Sequence, residues 1–189
     1  MIICLLYVLF MGSLAIFYFI NNESFKALVA LGGVGCGAVP LLLAIFTKWK
    51  FNLPLIISYI VFLFSSQYLG SILGWYGNGW WDTFLHLLSG SLLAFAGIAI
   101  YERLVQREAT KKISPLFVFL FILSFAVFGG VLWEVYEFSS DELFDMTLQG
   151  GGNKDTMVDL LADSIGGLII ACWVGVRTKI KLKKQSPVH

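Results

Sequence analysis

The chain has 189 residues, of which 58% are hydrophobic and only 13% charged, against about 25% charged in an ordinary soluble domain. That deficit places it in the membrane class, and a net charge of +1 gives no bulk attraction for nucleic acid. Three cysteines, Cys4, Cys36 and Cys172, lie singly inside apolar runs, so neither a disulfide framework nor a Cys/His metal motif is implied.

Apolar stretches of at least about 18 residues are what a bilayer requires of a helix. Six can be drawn, at 2–20, 26–47, 53–74, 81–103, 116–138 and 155–177. The expected fold class is therefore all-α: a polytopic membrane helix bundle of about six transmembrane helices. It forms a single transmembrane domain over 1–189, with three spans in 1–75 and three in 80–178.

The first span lacks a basic leading region and a small-residue cleavage site before Asn21-Asn22-Glu23, so it reads as a retained helix, with a cleaved signal peptide as the minority reading. In the second, Gly32, Gly33, Gly35 and Gly37 make a small-residue face for close helix packing, and Pro40 is expected to kink the helix. The third carries Ser65, Ser66, Gln67, Tyr68 and Ser71. A helix this polar is expected to face inward. Trp75, Trp80 and Trp81 follow, as interfacial residues at the outer surface.

Basic residues set the orientation. Of 13 Lys and Arg, 11 fall on one side: Lys48, Lys50, Arg103, Arg107, Lys111, Lys112, Arg177, Lys179, Lys181, Lys183 and Lys184; only Lys26 and Lys154 fall on the other. The positive-inside rule then puts both termini in the cytoplasm. The basic C-terminal tail reads as a solvated anchor, and a metal role for His189 is not expected.

The last three spans carry most of the chemistry. Asp82 and His86 in span four are spaced i,i+4; Glu134, Glu137 and Asp141 in span five i,i+3,i+7; Asp155, Asp159 and Asp163 in span six i,i+4,i+8. At about 100° per residue each set keeps to one helix face. His86, Glu134 and Asp163 each lie roughly 8–14 Å inside the outer end of their own span. A mid-membrane carboxylate costs roughly 2.5–3.5 kcal/mol, so the acids are expected to converge on a protein-lined cavity. Gly90, Gly129, Gly130, Gly166 and Gly167 lie about one turn deeper, where they would let the helices approach closely.

Plainer roles stand beside these. Asp155 suits an N-cap of span six as well as a ligand role, and Asp82 suits a cap of span four. Asp141, Glu142 and Asp145 read as solvated loop acids. A lone His86 can hydrogen-bond to backbone, and Thr83, Ser89 and Ser91 can bond back to their own helix. The loop Leu148-Gln149-Gly150-Gly151-Gly152-Asn153-Lys154 is no P-loop and reads as a tight turn or a lid.

Packed carboxylates without Lys or Arg in the spans need a raised pKa or a bound cation. The ligand set assigned on this basis is Asp82, His86, Glu134, Glu137, Asp159 and Asp163, for a divalent metal such as Zn, Mn, Fe or Mg. Protons or a monovalent cation are the alternative occupant.

Trp81-Asp82, His86 and Gly90, then Trp133-Glu134, Tyr136-Glu137, then Gly151 to Thr156 with Asp159, Asp163 and Gly166-Gly167, resemble the YjdF-like family of bacterial inner-membrane proteins, and more distantly the VanZ-like family. Where VanZ-like proteins carry Gln and Asn, this chain has Glu137 and Asp163, so the YjdF-like resemblance is the nearer. It covers about the C-terminal 110 residues and implies a multi-pass protein of the bacterial cytoplasmic membrane, with a site but no particular reaction.

Three functions are in contention. One is a metal-dependent membrane enzyme, with Glu134 or Asp159 as candidate catalytic base, acting on or binding a lipid or lipid-linked envelope substrate. Another is a proton- or cation-coupled transporter. The inner halves of spans four to six are apolar, which favours a cup open to one side over a through route. The last is an envelope accessory protein whose polar cluster only organises the bundle. Membrane lipids are the expected partners.

Overall fold

The fold was obtained as a computed structural model, which describes residues 1–47, 51–105, 113–145, 147–150 and 152–185. Six helices among the described residues are long and apolar enough to cross a membrane. They are α1 (Ile2–Ile20), α2 (Ser24–Thr47), α3 (Leu53–Leu63) continued by a π-helix (Phe64–Ile72), α4 (Trp81–Leu104), α5 (Pro115–Phe144) and α6 (Asn153–Gln185). The chain divides into two compact units, Met1–Leu85 and His86–His189. Lys48, Lys50, Arg107, Lys111, Lys112, Gly151 and His189, used above, lie outside the described residues.

In the first unit α1 packs on α2 through two of the four glycines named above. A Cβ at Gly37 would stand 2.7 Å from Tyr7 Cδ1, and one at Gly33 would strike the Met11 side chain, whereas Gly32 and Gly35 face open space. A helix turns about 100° per residue, so Gly33 and Gly37, spaced i,i+4, share the face toward α1, while Gly32 and Gly35, spaced i,i+3, share another. The expected four-glycine face is thus a two-glycine seam. Its core is Tyr7, Met11, Ala30, Leu63 and Ile72, and α2 runs on through Pro40.

Asn52 caps α3 by accepting from Leu55 N at 3.0 Å. The polar stretch Ser65–Ser71 turns inward in part: Ser65 is buried and Gln67 accepts the Tyr7 hydroxyl at 2.6 Å. Periodicity did not disclose that this stretch is π-helical, because the change adds one residue per hydrogen-bonded ring without altering composition. Gly74, at φ +77°, ends the span in a conformation that a side chain would strain. Beyond it Trp75 and Trp80 stand edge-on to Trp81, with ring centroids 4.7 and 5.3 Å away.

In the second unit α4 from His86 onward packs with α5 and α6 around an apolar cluster of Ala94, Ile98, Val118, Ile122, Ala126 and Ala171. Glycines bring the backbones together above it. A Cβ at Gly90 would collide with the Asp163 carbonyl, one at Gly166 with the Leu87 carbonyl, and one at Gly167 would stand 2.6 Å from Ala126 Cβ. Ser91 Oγ uses that proximity, donating to Leu87 O on its own helix at 3.1 Å and reaching Gly166 O at 3.3 Å.

Ser114 caps α5, accepting from Phe117 N at 3.1 Å, with Pro115 following it. The 30 residues of α5 make about 45 Å of helix, well past the expected end at 138. Polar residues stop a membrane span without stopping a helix. Asp141 and Glu142 are therefore helical rather than loop acids, and Asp145 is the left-handed residue that ends α5. Asp155, weighed above as an N-cap, sits inside the first turn of α6, which begins at Asn153.

Candidate functional site

Among the described residues of the second unit, five ionisable ones are buried: His86 and Glu137 at 5% and 8% exposure, Glu134 at 4%, and Asp159 and Asp163 at 1% each. Helical spacing puts them there. His86 projects from α4, Glu134 and Glu137 from neighbouring turns of α5, and Asp159 and Asp163 from neighbouring turns of α6. No Lys or Arg occurs on these helices between Asp82 and Glu102, between Pro115 and Phe144, or between Asp155 and Val176.

The centre is His86. Its Nδ1 is 3.0 Å from Asp163 Oδ2 and 3.9 Å from Glu134 Oε1. His86, Glu134 and Glu137 each offer one ligand atom, and all three lie within 4.8 Å of one another. An oxygen of Asp159 comes within the same distance of His86. Asp82 lies half-buried one turn before His86 on α4.

The acids are held differently. Asp163 is fully engaged: Oδ2 faces His86, Oδ1 accepts the Ser89 hydroxyl, and the carboxylate rests on Gly130, where a Cβ would stand 2.7 Å from Oδ2. Glu137 Oε1 accepts from Trp133 Nε1 at 2.8 Å. Neither oxygen of Glu134 meets a hydrogen-bond donor, and the Thr156 hydroxyl lies near it but outside bonding geometry. A buried carboxylate without such a donor carries an uncompensated desolvation cost of several kcal/mol when ionised.

The described residues of the loop after α5 are tied to both helices. Asp141 accepts from Leu148 N at 2.7 Å and Gln149 N at 2.9 Å. Gln149 Nε2 donates to Thr156 Oγ1 at 2.7 Å, beside Glu134. Gly152, at φ +61°, leads into α6.

Sequence reasoning assigned Ser89 only a bond within its helix. That bond exists, to His86 O at 2.9 Å, but the same hydroxyl also meets Asp163 across the helix pair. The available signal was its i+3 spacing from His86, which puts it on the face of the histidine. Thr156 and Gln149 also gained roles that spacing alone did not reveal, since each depends on a neighbour distant in sequence or on a loop path; the Trp133–Glu137 bond is an i,i+4 pair within α5, and that spacing was its signal.

A family model described as "Predicted membrane protein (DUF2238)" matches residues 2–179. An uncharacterized protein of Thermotoga maritima is 31% identical over 109 residues, 55% of this chain and 55% of that protein, so the chain spans little more than half of that relative's length. No solved structure matches.

Proposed function

We propose, for a chain that belongs to the DUF2238 family of predicted membrane proteins, that its C-terminal helices bind a divalent cation between buried carboxylates and one imidazole. The observation that carries this reading is Glu134, sunk in a membrane helix with both oxygens lacking a hydrogen-bond donor and with His86 and Glu137 in ligand reach.

A proton could neutralise Glu134 alone, but Glu137 and Asp159 crowd the same histidine, and a divalent ion neutralises more than one of them at once. Ligands at about 2.0–2.2 Å from an ion such as Zn²⁺ stand roughly 3–4 Å from one another. The existing 4.8 Å envelope needs only a small contraction to reach that. His86, Glu134 and Glu137 are the core of the set, with Asp159 beside them and Asp82 one turn along α4. One imidazole among carboxylates suits Zn, Mn, Fe or Mg.

A bound ion of this kind polarises oxygen ligands and acidifies water, and Glu134 or Asp159 is then the candidate base. The substrate class we assign is a lipid or lipid-linked envelope precursor, since the site lies on helices long and apolar enough to cross a membrane. The same three helices continue from the acids into an apolar cluster of Ala94, Ile98, Val118, Ile122, Ala126 and Ala171, which favours an enzyme or binding protein over a transporter. The distribution of Lys and Arg orients both termini to the cytoplasm and the site outward, in a bacterial cytoplasmic membrane. The YjdF-like resemblance agrees with that location.

Elemental analysis of the purified full chain tests the reading. One equivalent of divalent metal, lost with His86→Ala, is expected. Absence of metal both as isolated and after reconstitution with Zn²⁺ and Mn²⁺ refutes it.

A further inference from the structure

The end of α6 carries a surface that neither the apolar cluster nor the carboxylates use. Gly175 marks the level at which α5 begins: a Cβ there would stand 3.3 Å from Phe119 Cβ and 3.8 Å from the Pro115 carbonyl. From that level α6 runs on to Gln185, about 15 Å further. We infer that this end of α6 docks an anionic phospholipid of the surrounding bilayer. Its phosphate sits between Arg177 and Lys181, and its acyl chain runs back along Ile180, Val176 and Trp173 toward the middle of the span. The inference does not depend on a cation among the carboxylates.

Shape and polarity come first. An open groove is lined by Cys172, Trp173, Val176, Arg177, Ile180 and Lys181, and its surface is almost wholly apolar although two cations edge it. From Trp173 onward these residues are spaced i,i+3,i+4,i+7,i+8, which keeps them on one helix face. Trp173, Val176 and Ile180 are 48%, 60% and 52% exposed. A bare anion has no use for apolar walls, whereas a phospholipid matches both the cations and the walls.

Arg177 is held in place. Its guanidinium carbon stands 5.2 Å from the centroid of the Trp173 ring one turn before it, a cation–π contact. An indole is favoured at the headgroup level of a bilayer, so the stack sets the guanidinium at the height of the phosphates, whose oxygens its planar fork matches. Lys181, one turn further on, supplies the second charge on a stem long enough to reach the same headgroup.

Charge complementarity decides the sign of the occupant. No Asp or Glu occurs from Ser164 to His189, and among the described residues no carboxylate pairs with Arg177 or Lys181. The neutralising anion therefore comes from outside this helix end. Lys179 and Lys183 stand about 200° round the helix from Arg177 and Lys181 respectively, which separates the cations of the groove from the general positive charge of the tail.

Native mass spectrometry of the full chain in detergent, titrated with phosphatidylglycerol or phosphatidylcholine of the same acyl chains, tests the docking surface. Phosphatidylglycerol is expected to bind roughly 25-fold more tightly, about fivefold for each groove cation. Arg177→Gln and Lys181→Gln, both at exposed positions, should each lower that preference about fivefold. The charge-matched Lys179→Gln should leave it unchanged, Trp173→Ala should weaken both lipids, and inorganic phosphate should not displace either. Equal binding of the two lipids overturns the inference. So does a loss in Lys179→Gln as large as in Lys181→Gln, which would mean diffuse attraction to the tail, or displacement by inorganic phosphate, which would mean a site for a bare anion.

Discussion

At the scale of single residues, the carboxylates that looked equivalent in sequence separate by their partners. Asp163 has His86 and Ser89, Glu137 has Trp133, and Glu134 has no hydrogen-bond donor. A buried charge is costly in proportion to what fails to compensate it, so Glu134 is the residue on which a cation has most effect. Glu134→Gln keeps the shape and removes the charge. Metal-free Glu134→Gln is expected to melt at or above the temperature of the unaltered protein and to lose the stabilisation that Zn²⁺ otherwise confers. Thermal unfolding in detergent checks both; an undiminished Zn²⁺-induced rise would show that Glu134 does not ligate. That acids occupied one face of α5 and α6 was legible from i,i+3 and i,i+4 spacing. Which acid lacked a partner was not: Trp133 meets Glu137 at i,i+4, but Ser89 meets Asp163, and Thr156 approaches Glu134, from a different helix.

At the scale of elements, glycine separates the contacts that membrane helices require from those they tolerate. Without a hydrophobic drive between helices in lipid, close backbone approach and the dispersion contacts it permits hold the bundle together. Gly90 and Gly166 meet backbone carbonyls across α4 and α6, which cannot swing aside as a side-chain tip can. Gly90→Ala and Gly166→Ala are expected to cost about 1–3 kcal/mol or more each, as overpacking does. Gly35→Ala, facing open space in a helix interior, is expected to be neutral or to stabilise by roughly 0.5–1 kcal/mol. Urea or SDS unfolding of the three variants measures the order, and equal effects would contradict the seam described. The sequence marked all these glycines alike; only the facing backbone distinguishes them. Helix ends were similarly ambiguous. α5 continues through Ser139, Ser140 and Asp141 because leaving the apolar layer does not break a hydrogen-bond ladder, and Asp141 then becomes an anchor for the turn at Leu148 and Gln149.

At the scale of the molecule, orientation follows from charge. Lys154, exposed at the start of α6, is expected on the outside, while Lys181 near the end of the same helix is expected in the cytoplasm. In a chain freed of Cys4, Cys36 and Cys172, Lys154→Cys should react with a membrane-impermeant thiol reagent on intact cells and Lys181→Cys only after lysis. The reverse pattern would turn the topology over. The sequence by itself determined the class, the six spans and the helix faces that carry acid, because these depend on local quantities: apolar length against bilayer thickness and residue spacing against the helical turn. Only the tertiary structure decided that His86 faces Asp163, that Ser89 locks that carboxylate, that Glu134 is left without a hydrogen-bond donor, and that two glycines rather than four form the seam on α1. Those outcomes depend on helix rotation and on how closely two backbones approach. Both are set by contacts between residues distant along the chain, which no local pattern encodes.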